Sequence, residues 1–420
     1  MTVHTRNKPL YVVRPRTAVL TRGFDPRLSV GSARPAVFRS STYVFSSPEA
    51  AERAFAIALG RSRPADDETI DLIYSRLSHP NAEILEDQIV PLERGAQAAA
   101  VFNSGMAAIS TLFFQICPPG TSFVYTTPLY GGTQHLVHQV LEPFGVRAIP
   151  TPAGDDKALA AAIDQADNLR LVFIETPANP TLLMTDISVA AARTRTRAAQ
   201  ASLRPLVAVD NTFLGPVFQY PLELGADLAV YSATKFLAGH SDMLAGVVLG
   251  CDSDLIETLR GTRAILGNIL QPDECWILDS RLPTVELRMS RQSKSAERVV
   301  ESLARHPKIE KIYYPTQFGD PDQVHIYKSQ CTGPGSIFSL DLGTKRAAFD
   351  FLRQLKITKN AVSLGGVESL ACHPATTTHS ELSAHEQREA CVTEGLVRLS
   401  VGVEDERDLI EEYLQALDAL

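Results

Sequence analysis

Short, unbroken apolar runs, most of them closed by a polar residue or glycine, recur through the middle of the chain. They are Ala98–Phe102, Phe123–Tyr125, Leu171–Ile174, Leu206–Val209, Leu228–Tyr231 and Ala245–Leu249. Runs of this kind predict strands buried on both faces, the condition of a mostly parallel sheet. Helical spacing lies between them: Pro80 and Asn81 open a helix with Ile84, Leu85, Ile89 and Leu92 on its apolar side, and Gly105-Met106 leads into a helix over Ala107–Gln115. Beyond Pro283 the pattern changes. A long amphipathic helix is predicted from Thr284 to near His306, an alternating, half-buried strand over Ser336–Leu342, a helix over Phe349–Leu355 and a closing helix over Asp405–Leu420. Residues 1–60 are rich in Arg and Pro and weakly periodic, which predicts an extended arm lying on a neighbouring subunit. A polar loop follows at 61–71, with Arg61, Arg63, Pro64, Asp66, Asp67 and Glu68. The expected organisation is an arm and inter-subunit segment at 1–72, a large α/β domain at 73–275 and a smaller C-terminal α+β domain at 276–420.

Composition narrows the class. With 420 residues, 45% hydrophobic and 21% charged, the chain is an ordinary globular one, long enough for two domains. The net charge of −8 comes from intermixed acids and bases without a basic block, so nucleic acid is not an expected partner. No apolar run reaches the roughly 20 residues of a membrane span. Arg6, Lys8, Arg14, Arg16, Arg22 and Arg27 fall in the first thirty residues without an apolar stretch between them, so no secretory leader is expected. The six cysteines are scattered, without a C-x-x-C pair, and the ten histidines show no H-E-x-x-H spacing. Reduced thiols, a cytoplasmic location and no metal site are expected. No G-x-G-x-x-G follows an early strand, which argues against a nicotinamide-dependent oxidoreductase.

Candidate chemistry centres on two strand ends. Leu228–Tyr231 runs into Ser232-Ala233-Thr234-Lys235. An ammonium beside a buried strand is costly unless paired or neutralised, and a desolvated lysine can form a Schiff base with an aldehyde cofactor. The hydroxyls of Ser232 and Thr234 would then take the cofactor's phosphate. A surface lysine in a strand-to-helix loop is the alternative. Leu206–Val209 ends in Asp210, and an acid at the carboxyl end of a parallel strand faces the crevice in which such sheets bind ligands. There it could keep a heterocyclic nitrogen protonated; an N-cap is the alternative.

Taken together, Val209-Asp210-Asn211-Thr212, Ser232–Asp242, Ser363–Leu370 and Leu396–Asp405 resemble the Cys/Met-metabolism group of pyridoxal-phosphate enzymes. That group includes cystathionine γ-synthase, the cystathionine γ- and β-lyases, methionine γ-lyase and O-acetylhomoserine sulfhydrylase. The resemblance runs from Tyr74 to the C-terminus. It implies the type I fold of pyridoxal-phosphate transferases, pyridoxal 5′-phosphate carried on Lys235, and γ-elimination or γ-replacement on a homoserine ester or sulfur amino acid. Cystathionine γ-synthase or lyase activity proper is the alternative within the group, and a catalytically silent binding protein of the same fold the remote one. The resemblance further implies that Tyr74 and Arg76 reach the phosphate in a neighbouring subunit, as in a homotetramer. Gly105 and Met106 then add a helix N-terminus to the phosphate site. Tyr130 stacks on the cofactor ring and shuttles a proton at the leaving group. Asn179 meets the ring oxygen and the substrate carboxylate, and Arg398 and Ser363 hold that carboxylate. Glu175 braces the loop before Asn179; Glu368 and His379 are read as structural.

Several positions depart from the group's patterns. Gly132 stands where dedicated methionine γ-lyases carry cysteine, and Val362 where cystathionine-handling members carry a glutamate for the distal ammonium. Both point toward O-acylhomoserine or methionine-like substrates. Ser78-His79-Pro80 replaces the usual Gly-Asn-Pro, the 61–71 loop looks like added length, and Arg263-Ala264 lies in a segment unlike methionine γ-lyase.

Overall fold

The computed structural model describes residues 14–65, 68–198 and 203–420; Arg6, Lys8, Asp66 and Asp67, singled out above, lie outside the described residues. The apolar runs become seven strands of one sheet: β1 (Ala98–Phe102), β2 (Ser122–Thr127), β3 (Arg147–Pro152), β4 (Leu169–Glu175), β5 (Leu206–Asp210), β6 (Leu228–Tyr231) and β7 (Gly246–Gly250). Their order is β1-β7-β6-β5-β4-β2-β3. Only β7 is antiparallel to its neighbours, so the other six strands point their carboxyl ends to one edge.

The period-2 geometry of a strand explains why these runs need no polar alternation. Phe123, Tyr125, Leu171, Phe173 and Ala208 face a core built on the helix Gly105–Ile116, while Val124, Val172, Ile174, Val207 and Val209 face the helices Asp156–Gln165 and Ile187–Ala198. Helices cover both faces, so each strand position is apolar on its own account.

The second sheet joins β8 (Lys311–Tyr313), β9 (Ile337–Asp341), β10 (Lys359–Asn360), β11 (Leu370–Cys372) and β12 (Leu396–Ser400), in the order β10-β11-β12-β9-β8. Helices Val285–Leu303 and Lys345–Gln354 pack on it, and Glu406–Asp418 packs against both helices. One core cluster takes residues from both sheets, among them Tyr231, Phe236, Met289, Phe338 and Tyr413.

Two expectations are corrected. The strand predicted to be half-buried, β9, is buried at every position. Its second face meets the loop after β4 rather than solvent, and the Ser339 hydroxyl donates to the Pro180 carbonyl at 2.8 Å. Residues 14–60 are not one extended arm. They hold the helices Pro15–Thr21 and Pro48–Ala58, and Val19 packs into the main core. The 61–71 loop is tied near both ends, because Arg53 donates to Ser62 Oγ and to the Arg63 carbonyl and forks onto Glu68 at 2.7 Å, and Asp71 accepts from the N–H of Ser46 at 2.8 Å.

Candidate active site

The carboxyl edge of the first sheet opens into a cavity of about 730 Å³ that also touches the second sheet. Five strand ends feed it. After β1 comes Ser104, whose hydroxyl caps the next helix by accepting from the N–H of Ala107 at 3.0 Å, leaving the first-turn N–H groups of Gly105 and Met106 directed at the cavity floor. After β2 comes Tyr130. After β4 come Glu175, Pro177 and Asn179. Asp210 is the last residue of β5, and Ser232, Thr234 and Lys235 follow β6. The second sheet contributes Arg398 from the middle of β12, with Val362, Ser363 and Leu364 beside it.

Close approach is built into the floor. A Cβ on Gly105 would lie 2.9 Å from Ser232 Cβ, and one on Gly246 would lie 2.1 Å from the Ser104 carbonyl oxygen. The helix start, the β6 end and β7 therefore meet at backbone distance, and a small anion can contact several N–H and O–H groups at once.

Lys235 is half-buried, and its Nζ donates to Ser363 Oγ at 2.8 Å. Burial and, after it, the Arg398 charge bring the amine down to about 8. Arg398, 3% exposed, donates from Nη1 to Asn179 Oδ1 at 3.0 Å and from Nη2 to the Ser363 carbonyl at 2.9 Å. Ser363 holds its place with φ +85°, the left-handed region, which an L-residue occupies only where surrounding contacts enforce it.

Glu175 and Asp210 are register neighbours on β4 and β5. Burial raises both carboxyls above their ordinary range; charge repulsion from Asp210 adds to the rise at Glu175, while Asp210 accepts from the N–H of Thr212 at 3.0 Å. Glu175 is committed to the backbone, accepting from Tyr130 N at 2.8 Å and Asn179 N at 3.2 Å. Asp210 has no ion-pair partner among the described residues. A buried carboxyl without a cation fits a protonated ring nitrogen. The residues present therefore fit pyridoxal phosphate: an acid for the ring, an amine for the aldehyde, and for the phosphate a helix start with the Ser232 and Thr234 hydroxyls. Thr234 Oγ1 donates to the Ala245 carbonyl at 3.2 Å and accepts from Ala245 N at 3.0 Å, so its hydroxyl has to turn its proton away from that carbonyl to donate to a phosphate oxygen.

The structure thus brings Gly105, Met106, Tyr130, Asn179, Asp210, Ser232, Thr234, Lys235, Ser363 and Arg398 to one cavity. Tyr74 and Arg76 stand outside it. Tyr74 is 41% exposed, and Arg76 stacks over its ring at 5.9 Å and donates to the Ala264 carbonyl at 2.6 Å. Among the described residues no metal-ligating group is present. No described helix is long and apolar enough to cross a membrane.

Two supporting residues, Arg288 and Glu93, had escaped the sequence reading. Arg288, on the helix Val285–Leu303, is buried and donates to the carbonyls of Phe236 at 2.6 Å and Leu237 at 3.0 Å, just past Lys235. Burial and the nearby Arg281 charge lower it to about 10. Its place among Val285, Met289 and Gln292 on the apolar face was the available signal. Glu93 is buried, hydrogen-bonded to the Tyr231 hydroxyl, and pushed by burial to about 8. His379, read above as structural, is buried; its Nε2 lies 3.0 Å from the Asn179 carbonyl, and burial with the Arg398 charge takes it down to about 4.

The model of a family described as Cys/Met metabolism PLP-dependent enzyme matches residues 16–418. An L-methionine γ-lyase of Pseudomonas putida is 37% identical over 96% of this chain and 97% of its own. A cystathionine β-lyase of Bacillus subtilis is also 37% identical, over 82% of this chain and 85% of its own. Among solved structures, a cystathionine γ-synthase of Xanthomonas oryzae in complex with cystathionine superposes with a TM-score of 0.86 at 29% identity, covering 97% of this chain and 99% of that one.

Proposed function

The chain belongs to the Cys/Met metabolism family of PLP-dependent enzymes, and we propose that within it the protein performs γ-elimination or γ-replacement on a sulfur amino acid or homoserine ester. The reading is carried by one observation: Lys235 Nζ, Ser363 Oγ and the Arg398 guanidinium converge on the cavity that also holds Asp210 and Tyr130.

Pyridoxal 5′-phosphate, when bound, supplies an electron sink for the charge left as a substrate C–H bond breaks. Asp210 keeps the proton on the ring nitrogen, on which that sink depends. Gly105, Met106, Ser232 and Thr234 hold the phosphate. Asn179 fixes the ring oxygen, and the Tyr130 ring covers the cofactor face. Arg398, with Asn179 and Ser363, grips the α-carboxylate by paired hydrogen bonds and so orients the Cα–H bond. Lys235, with an amine near 8, has an unprotonated share at neutral pH and takes the Cα proton; only after handing that proton on is the amine free to take one from Cβ. Tyr130 hands a proton to the sulfur or ester oxygen leaving Cγ.

Among the described residues no guanidinium of the same chain lies at the phosphate end of the cavity. We assign that contact to Tyr74 and Arg76 of a second copy, within a homotetramer, and place the enzyme in a reducing cytoplasm in keeping with its unpaired thiols. The domain division at 72 and 275 is part of the same proposal.

The test is turnover of methionine, cystathionine and O-acetylhomoserine, each with and without sulfide. A 2-oxo acid with ammonia, or a new thioether, is the expected product, and Lys235→Ala should give neither. Turnover by that variant at near wild-type rate would end the proposal.

A further inference from the structure

The cavity opens to water at Leu244, Val362, His135 and Glu381. On its inner side, the strand ends that carry the site are backed by a further layer of polar side chains, none of which lines the cavity. Gln330, Gln219, Asn211, Tyr231 and Glu93 form one hydrogen-bonded chain there, and each is at most 8% exposed.

The chain runs in one direction, and backbone groups set that direction. Gln330 accepts from the N–H of Ile187 at 3.0 Å and donates to the Thr185 carbonyl at 3.2 Å, which turns its other N–H onto Gln219 Oε1 at 2.9 Å. Gln219 Nε2 donates to the Thr176 carbonyl at 2.9 Å and to Asn211 Oδ1 at 2.8 Å. Asn211 Nδ2 donates to the Gln219 carbonyl at 2.9 Å and to the Tyr231 hydroxyl at 2.8 Å. That hydroxyl in turn donates to Glu93. A carbonyl only accepts and a backbone N–H only donates, so no amide of the chain can turn over without losing a buried bond. Space is equally tight. A Cβ on Gly215 would lie 2.2 Å from Asn211 Nδ2 and 2.6 Å from the Tyr231 hydroxyl oxygen.

Three neighbouring strand ends are tied in this way. Tyr231 closes β6, just before Ser232-Ala233-Thr234-Lys235. Asn211 follows Asp210 at the end of β5. Thr176 follows Glu175 at the end of β4 and leads into Pro177 and Asn179. Gln219 is the member whose amide donates to two of these ends, at Thr176 and at Asn211. Asp210 and Asn179 are assigned to two atoms of one rigid ring, so the cofactor cannot absorb an error in the spacing of their carriers.

We propose that Gln219 is a positioning residue for the reaction: its amide sets the spacing of the β4 and β5 ends and so aligns Asp210 and Asn179 on the cofactor without touching it. The inference rests on the reading under Proposed function and adds to it a residue outside the cavity.

Four holoenzymes are compared. They are the wild type, Gln219→Met, which keeps the length and loses the amide, Tyr231→Phe, which takes one oxygen from the other side of Asn211, and Tyr413→Phe, which loses a buried bond to Thr358 Oγ1 outside the cavity lining. The visible absorption of the bound cofactor is titrated with pH, kcat and KM are measured, and stability is read from urea unfolding. Gln219→Met should raise the absorption midpoint by about half a pH unit or more, because a ring nitrogen held less firmly by Asp210 leaves the lysine-linked nitrogen more basic. Its kcat should fall about tenfold or more. Tyr231→Phe should shift both in the same sense but by less, since Asn211 keeps its bond from Gln219. Tyr413→Phe should lower stability alone. A wild-type midpoint and kcat in Gln219→Met, or in Tyr231→Phe where Gln219→Met does not fold, would overturn the assignment, as would equal shifts in Tyr413→Phe. A wild type that binds the cofactor but turns over none of methionine, cystathionine and O-acetylhomoserine ends the proposed function, and the absorption midpoint still decides the role of Gln219.

Discussion

Arg288→Met tests whether the lysine-bearing loop is held from the far side of the core. The guanidinium makes two hydrogen bonds, at 2.6 and 3.0 Å, to the carbonyls of Phe236 and Leu237, all of them buried. Methionine matches the stem and removes both donors. Leaving two buried carbonyls unpaired costs about 1–3 kcal/mol each. Part of that is offset because the guanidinium no longer has to be desolvated, so a net loss of about 2–4 kcal/mol is expected. Gly239 gives an internal control. With φ +72° it brings its Cα so near that a Cβ would lie 2.0 Å from Arg288 Nη1. Gly239→Ala should therefore be severe in the wild type, yet in the Arg288→Met background the clash is relieved and only the backbone strain of about 1 kcal/mol persists. Urea unfolding of the four proteins yields a double-mutant cycle with strong coupling. Additive losses, or an Arg288→Met variant within about 0.5 kcal/mol of wild type, would refute the clamp.

Gly132→Ala places a Cβ 2.7 Å from a Tyr130 ring carbon and 3.2 Å from Met106 Sδ. The ring must turn, and kcat should fall about tenfold or more with little change in global stability; unchanged kcat would show that the ring position is not critical. Glu93→Gln addresses pH. The folded carboxyl keeps its proton up to about 8, whereas the unfolded one loses it near 4.5. Between those values the unfolded state holds fewer protons, so this group lowers stability as pH rises, by at most about 1.4 kcal/mol per pH unit. Glutamine has no proton to lose, so the stability of the variant relative to wild type should climb across that window; a flat difference would sink the argument.

The strand ends were legible because burial on both sides of a parallel sheet leaves an apolar run that stops where the backbone reaches the crevice. Asp210, Lys235 and Asn179 stand just past such stops. Arg398 was legible only through the resemblance carried by Leu396–Asp405, because alternation on β12 by itself suits a surface ion pair equally well. Arg288 and Glu93 were not, because their partners lie 52 and 138 positions away and no local pattern encodes them. The helix Pro48–Ala58 was missed although Ser47-Pro48 is a capping signal, its hydroxyl accepting from Ala50 N at 3.1 Å. The full burial of β9 escaped because a serine on its second face looked solvent-directed, when it is bonded to a loop of the other half.

Arg398, Asn179 and Asp210 are each at most 9% exposed and tied into other elements, whereas Val362, Leu244, His135 and Glu381 stand in water at the mouth. Changing an inner residue disturbs folding and chemistry together. Changing a rim residue leaves both intact and alters only which departing group is welcome. One scaffold can drift among thioether and ester substrates by surface replacements alone, and overall likeness to a methionine γ-lyase and to a cystathionine β-lyase can stay level at 37% while their preferences diverge.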